Sequence, residues 1–223
     1  MKWSEMFTSS IGKKWVMALT GIFLITFLII HVSINACIWA DDGGRMFGDA
    51  AHFMGSTVVV RILEVGLMAG LLIHIIQGLV LEFQNRSKRK KGYAVPMGNK
   101  GSKWYSRSMG LLGTLILIFL VIHLTDFWIP NRSNQGWLLG PELNLYDKMK
   151  IEFQEEWVVI VYILGCISLA WHLLHGFQSA FRTIGVSNKK YLSLLNATGV
   201  AFSIIVPLVF AMMPVSFYFG WLK

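Results

Sequence analysis

The sequence predicts an all-α membrane protein with five transmembrane helices, the first four forming a bundle with an internal two-helix repeat. Hydrophobic residues make up 55% of the 223 positions, and the mean hydropathy is +0.57. Five apolar runs, near residues 15–39, 58–83, 105–129, 157–181 and 194–219, each exceed the ~20 residues a helix needs to cross a hydrocarbon core. No composition break separates them, so residues 1–223 read as one integral-membrane domain.

The first run follows a polar, amphipathic start, Met1 to Ser10, and the pair Lys13 and Lys14. It is too long for a signal-peptide core and has no Ala-x-Ala-like cleavage site, so this helix is expected to be retained. Runs two to four each carry one histidine in a matched position, His74, His123 and His172, as run one carries His31. The fifth run has no histidine and no embedded charge, and Pro207 and Pro214 are expected to kink it, so it reads as a packing helix beside the other four. Trp39, Trp128, Trp137, Trp157 and Trp221 fall near one interface and Trp15 and Trp104 near the other, which is an aromatic belt.

Orientation follows from the loops. With the N-terminus cytoplasmic, the inside segments collect Lys2, Lys13, Lys14, the Arg86 to Arg107 cluster, Arg182, Lys189 and Lys190, which is 14 of the 20 basic residues. They hold only Glu5 and Glu82 of the 12 acidic ones, and an odd helix count leaves the C-terminus outside. The net charge of +8 is therefore mostly cytoplasmic, where it can meet anionic lipid or an acidic soluble partner. Aromatic residues are not interleaved with the basic ones as in a nucleic-acid groove, so no nucleic-acid partner is expected. Cys37 and Cys166 fit neither a Cys-x-x-Cys nor a zinc spacing and read as small core residues.

The repeat carries the histidines. Run one reads Leu28-Ile29-Ile30-His31-Val32-Ser33 and run three Leu120-Val121-Ile122-His123-Leu124-Thr125, with Gly21 and Gly113 each ten residues before the histidine. Runs two and four share His74-x3-Gly78-x4-Phe83 and His172-x3-Gly176-x4-Phe181. His175 lies on nearly the same face as His172, since three residues advance a helix by about 300°, but the repeat pairs it with Gln77 and pairs His172 with His74. Glycine one turn after a histidine lets a flat ligand edge approach the backbone, although small residues also serve plain helix packing in membranes.

An imidazole within a bilayer is costly unless something there needs it, and four of them can hold two irons through two axial ligands each. At ~1.5 Å per residue, His31 (18 residues from Lys13) and His123 (16 from Arg107) lie ~24–27 Å from the inner face. His74 (12 from Arg86) and His172 (10 from Arg182) lie ~15–18 Å deep. The expectation is an outer haem b on His31 and His123 and an inner haem b on His74 and His172, with Lys13, Lys14, Arg107 and Arg182 near the propionates. Four ligands at two depths cannot close one zinc or copper tetrahedron with bonds of ~2 Å. Attachment is expected to be non-covalent, since no Cys-x-x-Cys-His motif occurs.

The four single histidines, the His-x3-Gly pattern in runs two and four, Gly185 nine residues after Gly176, and the lead-in Ser9-Ser10-Ile11-Gly12-Lys13-Lys14 resemble the dihaem, five-helix cytochrome b subunit of succinate dehydrogenase/fumarate reductase. The resemblance spans nearly the whole chain, through motifs that are individually loose and jointly specific. It implies a bacterial cytoplasmic-membrane anchor for two soluble subunits on the cytoplasmic side, a flavoprotein with FAD and an iron–sulfur protein. It also implies electron transfer between the succinate/fumarate couple and a membrane quinone, menaquinone, through the two haems. Composition alone does not show this. One departure stands out: some family members carry a glutamate two residues before the helix-four ligand, proposed to conduct protons, and here that position is Ala170.

A quinone site needs an apolar slot and a polar group able to exchange a proton. Outer candidates are Asp126, one turn beyond His123 and the expected proton acceptor, Asn35, one turn beyond His31, and His52, Arg61 and Glu64. Arg61 and Glu64 also read as an i,i+3 interfacial ion pair, and His52 as a loop surface residue. Inner candidates are Ser10 and Lys14, which equally read as a helix start with topology-setting lysines. Two other functions fit the residues: a dihaem cytochrome b of a hydrogenase, formate dehydrogenase or transmembrane ascorbate system, and a haem-free transporter or scaffold.

Overall fold

The computed structural model describes residues 9–88, 103–135 and 143–222. Every regular element among them is helical, and five helices are long and apolar enough to cross a membrane, so the chain is an all-α membrane protein. In chain order these elements are α1 (Ser10–Ala36), α2 (Arg45–Ser56), α3 (Val58–Lys88) and the single turn α4 (Trp104–Arg107). There follow α5 (Met109–His123), α6 (Ile129–Gln135), α7 (Leu145–Glu152), α8 (Glu156–Thr183) and α9 (Lys189–Tyr218). The spans are α1, α3, α5 with α6, α8 and α9. A π-helical turn, Leu124–Trp128, joins α5 to α6.

The spans outrun the apolar runs because their ends are capped by polar residues beyond the hydrocarbon. Ser9 Oγ accepts from Gly12 N–H at 3.0 Å, so the Ser-Ser-Ile-Gly lead-in is the N-cap of α1. Asn188 caps α9 in the same way through Lys190 N–H, at 3.0 Å. Gly185 ends α8: its φ is +103, its N–H donates to Arg182 O, and Val186 N–H reaches back to Phe181 O, the paired bonds of a Schellman stop. The glycine nine residues after Gly176 thus has a local structural use. Helix α9 runs unbroken through Pro207 and Pro214.

Helix α1 packs against α3 and α8, and α5 packs against the same two, so α1 faces α5 and α3 faces α8 across the diagonals of a four-helix bundle. Helix α9 lies outside this square, against α8 and α1. Small residues make that seam: a Cβ on Gly199 would come 2.7 Å from the Phe177 ring, and the buried Ser203 hydroxyl donates to Gly199 O. Cys166 is buried and Cys37 half-buried, both free.

One end of the bundle carries Lys13, Lys14, Arg86, Lys103, Arg107 and Arg182; the opposite end carries Asp41, Asp42, Asp49, Asp147, Glu152 and Glu155. We refer to these as the basic and acidic ends. The acidic end is closed by the short helices α2 and α7, whose Phe47, Tyr146 and Met149 join Ile38, Phe153, Val158, Met213 and Phe217 in the larger apolar cluster. Burial, with Asp42, Asp147 and Asp41 nearby, raises the Tyr146 phenol above its ordinary range. Its ring covers Gly44, which has φ +82 and where a Cβ would sit 2.4 Å from Tyr146 Cγ.

Gly44→Ala therefore meets both backbone strain and overlap with the ring. We expect it to destabilise the cap on the acidic end by about 2–4 kcal/mol, read as a lower thermal midpoint of the detergent-solubilised protein. Gly48→Ala, where a Cβ meets nothing within 4 Å, is the control with little change.

Candidate functional site

Diagonal packing brings the four span histidines together in two pairs. The His31 and His123 rings, from α1 and α5, have centroids 5.9 Å apart. The His74 and His172 rings, from α3 and α8, have centroids 6.3 Å apart. Each pair crosses the bundle between helices that do not pack directly, the first toward the acidic end and the second toward the basic end. Among the described residues no three His, Cys, Asp or Glu converge on one point, so the imidazoles meet only in twos.

Their polar surroundings are sparse. Among the described residues no carboxylate hydrogen-bonds or ion-pairs with any of the four rings. Nδ1 of His123 and Nδ1 of His172 are buried without a partner among the described residues, a cost that a purely structural polar residue normally avoids. His74 differs: its Nδ1 lies 3.0 Å from Thr20 Oγ1, whose own proton goes to Val16 O at 2.7 Å. The hydroxyl must therefore accept from Nδ1–H, which leaves the His74 Nε2 lone pair free as a donor toward a metal. His31 Nδ1 is 3.3 Å from the Asn35 amide nitrogen, which also donates to His31 O at 2.8 Å.

The repeated glycines lie beside these rings. A Cβ on Gly21 would stand 3.7 Å from His74 Cε1, and one on Gly113 would stand 3.9 Å from His172 Cε1. The two glycines placed ten residues before one histidine pair thus border the rings of the other pair. Gly176 faces His172 Cδ2 at 4.0 Å, and a Cβ on Gly78 would touch only Met17 Cε, at 3.9 Å. His175 does not join the His74–His172 pair; it lines a cavity of ≈ 590 Å³ at the basic end together with Lys14, Lys103, Gln178 and Arg182. Its repeat partner Gln77 is buried, with Nε2 unpartnered among the described residues.

At the acidic end Asp126 sits in the π-helical turn directly after His123, and its Oδ2 accepts from the Tyr162 hydroxyl at 2.9 Å. Single π turns recur at functional sites because they displace side chains from the regular helical register. The Tyr162 ring stands 5.9 Å from His123 and 5.0 Å from Phe119, linking the carboxylate to the histidine pair. Lys148 and Glu152 of α7, paired with each other, stand near Asp126.

The other sequence candidates separate. Glu64 is the centre of a clamp: Oε2 accepts from Arg61 Nη1 at 3.1 Å, while Oε1 accepts from Trp128 Nε1 at 2.6 Å and faces Arg132 Nε at 2.9 Å. The ion-pair reading of Arg61 and Glu64 holds, and the clamp extends from α3 to the π turn and α6. His52 is exposed on α2, a helix where the sequence predicts a loop. Ser10 is the first residue of α1 and does not line the basic-end cavity, whereas Lys14 does. Lys13 donates to Gln84 Oε1 at 3.0 Å, and Arg107 is exposed. Lys2, Trp137 and most of the basic stretch between Arg86 and Arg107 lie outside the described residues.

Sequence reasoning did not single out Thr20, Tyr162, Trp128 or Arg132 as partners. Tyr162 had a signal: it stands ten residues before His172, as Glu64 stands ten before His74. Thr20 had none, since its repeat equivalent is Leu112.

No family model, curated protein or solved structure matches the chain. The clamp is directly testable. Side-chain exposure is 7% for Arg61 and 21% for Arg132, so Glu64→Gln removes a carboxylate from two guanidinium groups that are largely out of water. We expect a loss of about 3 kcal/mol of stability, measured by thermal denaturation in detergent. Wild-type stability in that variant would reduce the clamp to a surface contact.

Proposed function

We propose that this chain is the membrane-anchor cytochrome b subunit of a succinate dehydrogenase or fumarate reductase, carrying electrons between an iron–sulfur partner and membrane quinone. The observation that carries the reading is the spacing of the two diagonal histidine pairs. Two imidazoles that would share one iron through bonds of about 2 Å need centroids about 6 Å apart, and the pairs stand at 5.9 and 6.3 Å. The tautomer held on His74 by Thr20, with Nε2 left free for a metal, and the glycines bordering the rings fit the same group. Two haems b, on His31 with His123 and on His74 with His172, would supply one-electron carriers at two depths of the membrane.

The chain's own residues set the rest. With the basic end cytoplasmic, Lys13, Lys14, Arg107 and Arg182 place positive charge at the face where an iron–sulfur subunit docks, nearest the His74–His172 pair. At the opposite face Asp126, held by Tyr162 beside His123, is positioned to accept the proton a quinol gives up on oxidation. Lys148 and Glu152 continue polar groups from there toward the aqueous phase. Arg61 and Glu64, engaged in the clamp, position the π turn and need not touch quinone.

The purified native complex is expected to contain a flavoprotein and an iron–sulfur protein, and its cytochrome subunit two haems b, counted by the pyridine haemochromogen spectrum. His31→Ala or His123→Ala removes one haem and His74→Ala or His172→Ala the other, while His175→Gln keeps both. A single haem in the wild type, or loss of haem in His175→Gln, would reverse the assignment.

Quinone chemistry is assigned to the acidic end. Asp126→Asn should cut quinone turnover at least tenfold while both haems and succinate oxidation by a soluble artificial acceptor persist. Tyr162→Phe, which deletes the hydrogen bond and keeps the ring, should give a smaller loss. Normal quinone turnover in Asp126→Asn together with its loss in Lys14→Ala would move the site to the basic end.

A further inference from the structure

The cavity at the basic end gathers cations from three elements, of which the electron-transfer reading uses Lys14 and Arg182 only as positive charge at that face. Lys14 comes from α1, Lys103 from the residue before α4, and Arg182 from the last turn of α8. None of these three cations has an acidic partner among the described residues, and no Asp or Glu is among those lining the cavity. Neutral polar groups, Ser106, Gln178 and Ser179, stand among them. The arrangement collects positive charge and hydrogen-bond donors without a counter-charge, which is the chemistry of an anion site.

The remaining lining says which anion. Ile11 and Trp15, one turn apart on α1, border the cavity and are 66% and 39% exposed. This lip stands at the level where α1 leaves the apolar run, with the interfacial Trp104 close by on α4. A water-soluble anion gains nothing from an exposed apolar lip, whereas a phosphate carrying acyl chains covers it. The volume of ≈ 590 Å³ takes a lipid headgroup and the start of its chains.

We propose that this cavity binds one anionic membrane phospholipid. Its phosphate is held by Lys14, Lys103 and Arg182, and its acyl chains leave over Ile11 and Trp15. The site shares Lys14 and Arg182 with the cations expected near the haem propionates, and its assignment to lipid stands on the cavity lining.

The test uses the full-length chain, purified in mild detergent with whatever haem it carries, and native mass spectrometry of added lipid. Phosphatidylglycerol is expected to bind one per chain and about tenfold more tightly than zwitterionic phosphatidylcholine. Millimolar inorganic phosphate should not displace it. The double variant Lys14→Gln/Arg182→Gln should lose that preference, while Lys189→Gln/Lys190→Gln, which removes the same charge at the same end outside the cavity, should keep it.

Equal binding of the two lipids, or an unchanged preference in Lys14→Gln/Arg182→Gln, overturns the proposal. Displacement by inorganic phosphate would make this a free-anion site, and phosphatidylglycerol binding confined to haem-depleted protein would give the cations to porphyrin carboxylates; either outcome also overturns it. If the first double variant does not fold to wild-type helicity, the lipid preference and the phosphate competition in the wild type decide the question.

Discussion

Half-buried imidazoles in an apolar bundle, none hydrogen-bonded to or ion-paired with a carboxylate among the described residues, are the constraint around which this molecule is arranged. A lone histidine in such a place is commonly tied to a backbone carbonyl or an acid. Here two of the four rings keep Nδ1 unpartnered among the described residues, and the hydrogen bond from His74 to Thr20 fixes a neutral tautomer. The diagonal packing then follows. Helices that carry a pair cannot touch along their length, because two rings whose centroids are about 6 Å apart stand between them. They pack instead on the two helices that carry the other pair.

The two ends of the bundle are built differently. At the acidic end the polar groups are locked into one another: Glu64 with two arginines and a tryptophan, Asp126 with Tyr162, Lys148 with Glu152. At the basic end the three cavity cations have no acidic partner among the described residues. A locked end suits a site that must hold a carboxylate at one depth near a histidine, whereas an end of uncompensated charge suits docking of an acidic surface or anionic lipid.

Much of this was legible in the sequence, because the bilayer restricts the possible structures. Five runs longer than ~20 apolar residues have only helices available to them, and all five spans were readable, with errors of a few residues at polar ends. The pairing of His74 with His172 rather than His175 was legible from the repeat alone. Three features were not. Ser9 as an N-cap and Gly185 as a helix stop were visible as motif letters without their local use. His52 was placed in a loop because Arg45–Ser56 is too short and too polar to register as a helix beside five long apolar ones. The partners of Glu64 and Asp126 come from elements 36 to 68 residues away, and no periodicity encodes a contact between helices.

The π turn joins these observations. A regular helix through Leu124–Trp128 would carry every later side chain of the span at a different angle, so the extra residue sets where Asp126 and Trp128 point relative to His123. Both are then anchored from other helices, Asp126 by Tyr162 of α8 and Trp128 by Glu64 of α3. Tyr162 and Glu64 occupy equivalent places in the two halves of the repeat, each ten residues before a histidine of the other pair. The duplicated pattern that supplies the four imidazoles therefore also supplies the two residues that hold the turn beyond one of them. Each half contributes one histidine to each pair and one polar anchor at the acidic end, so these anchoring contacts concentrate there rather than being spread along the bundle.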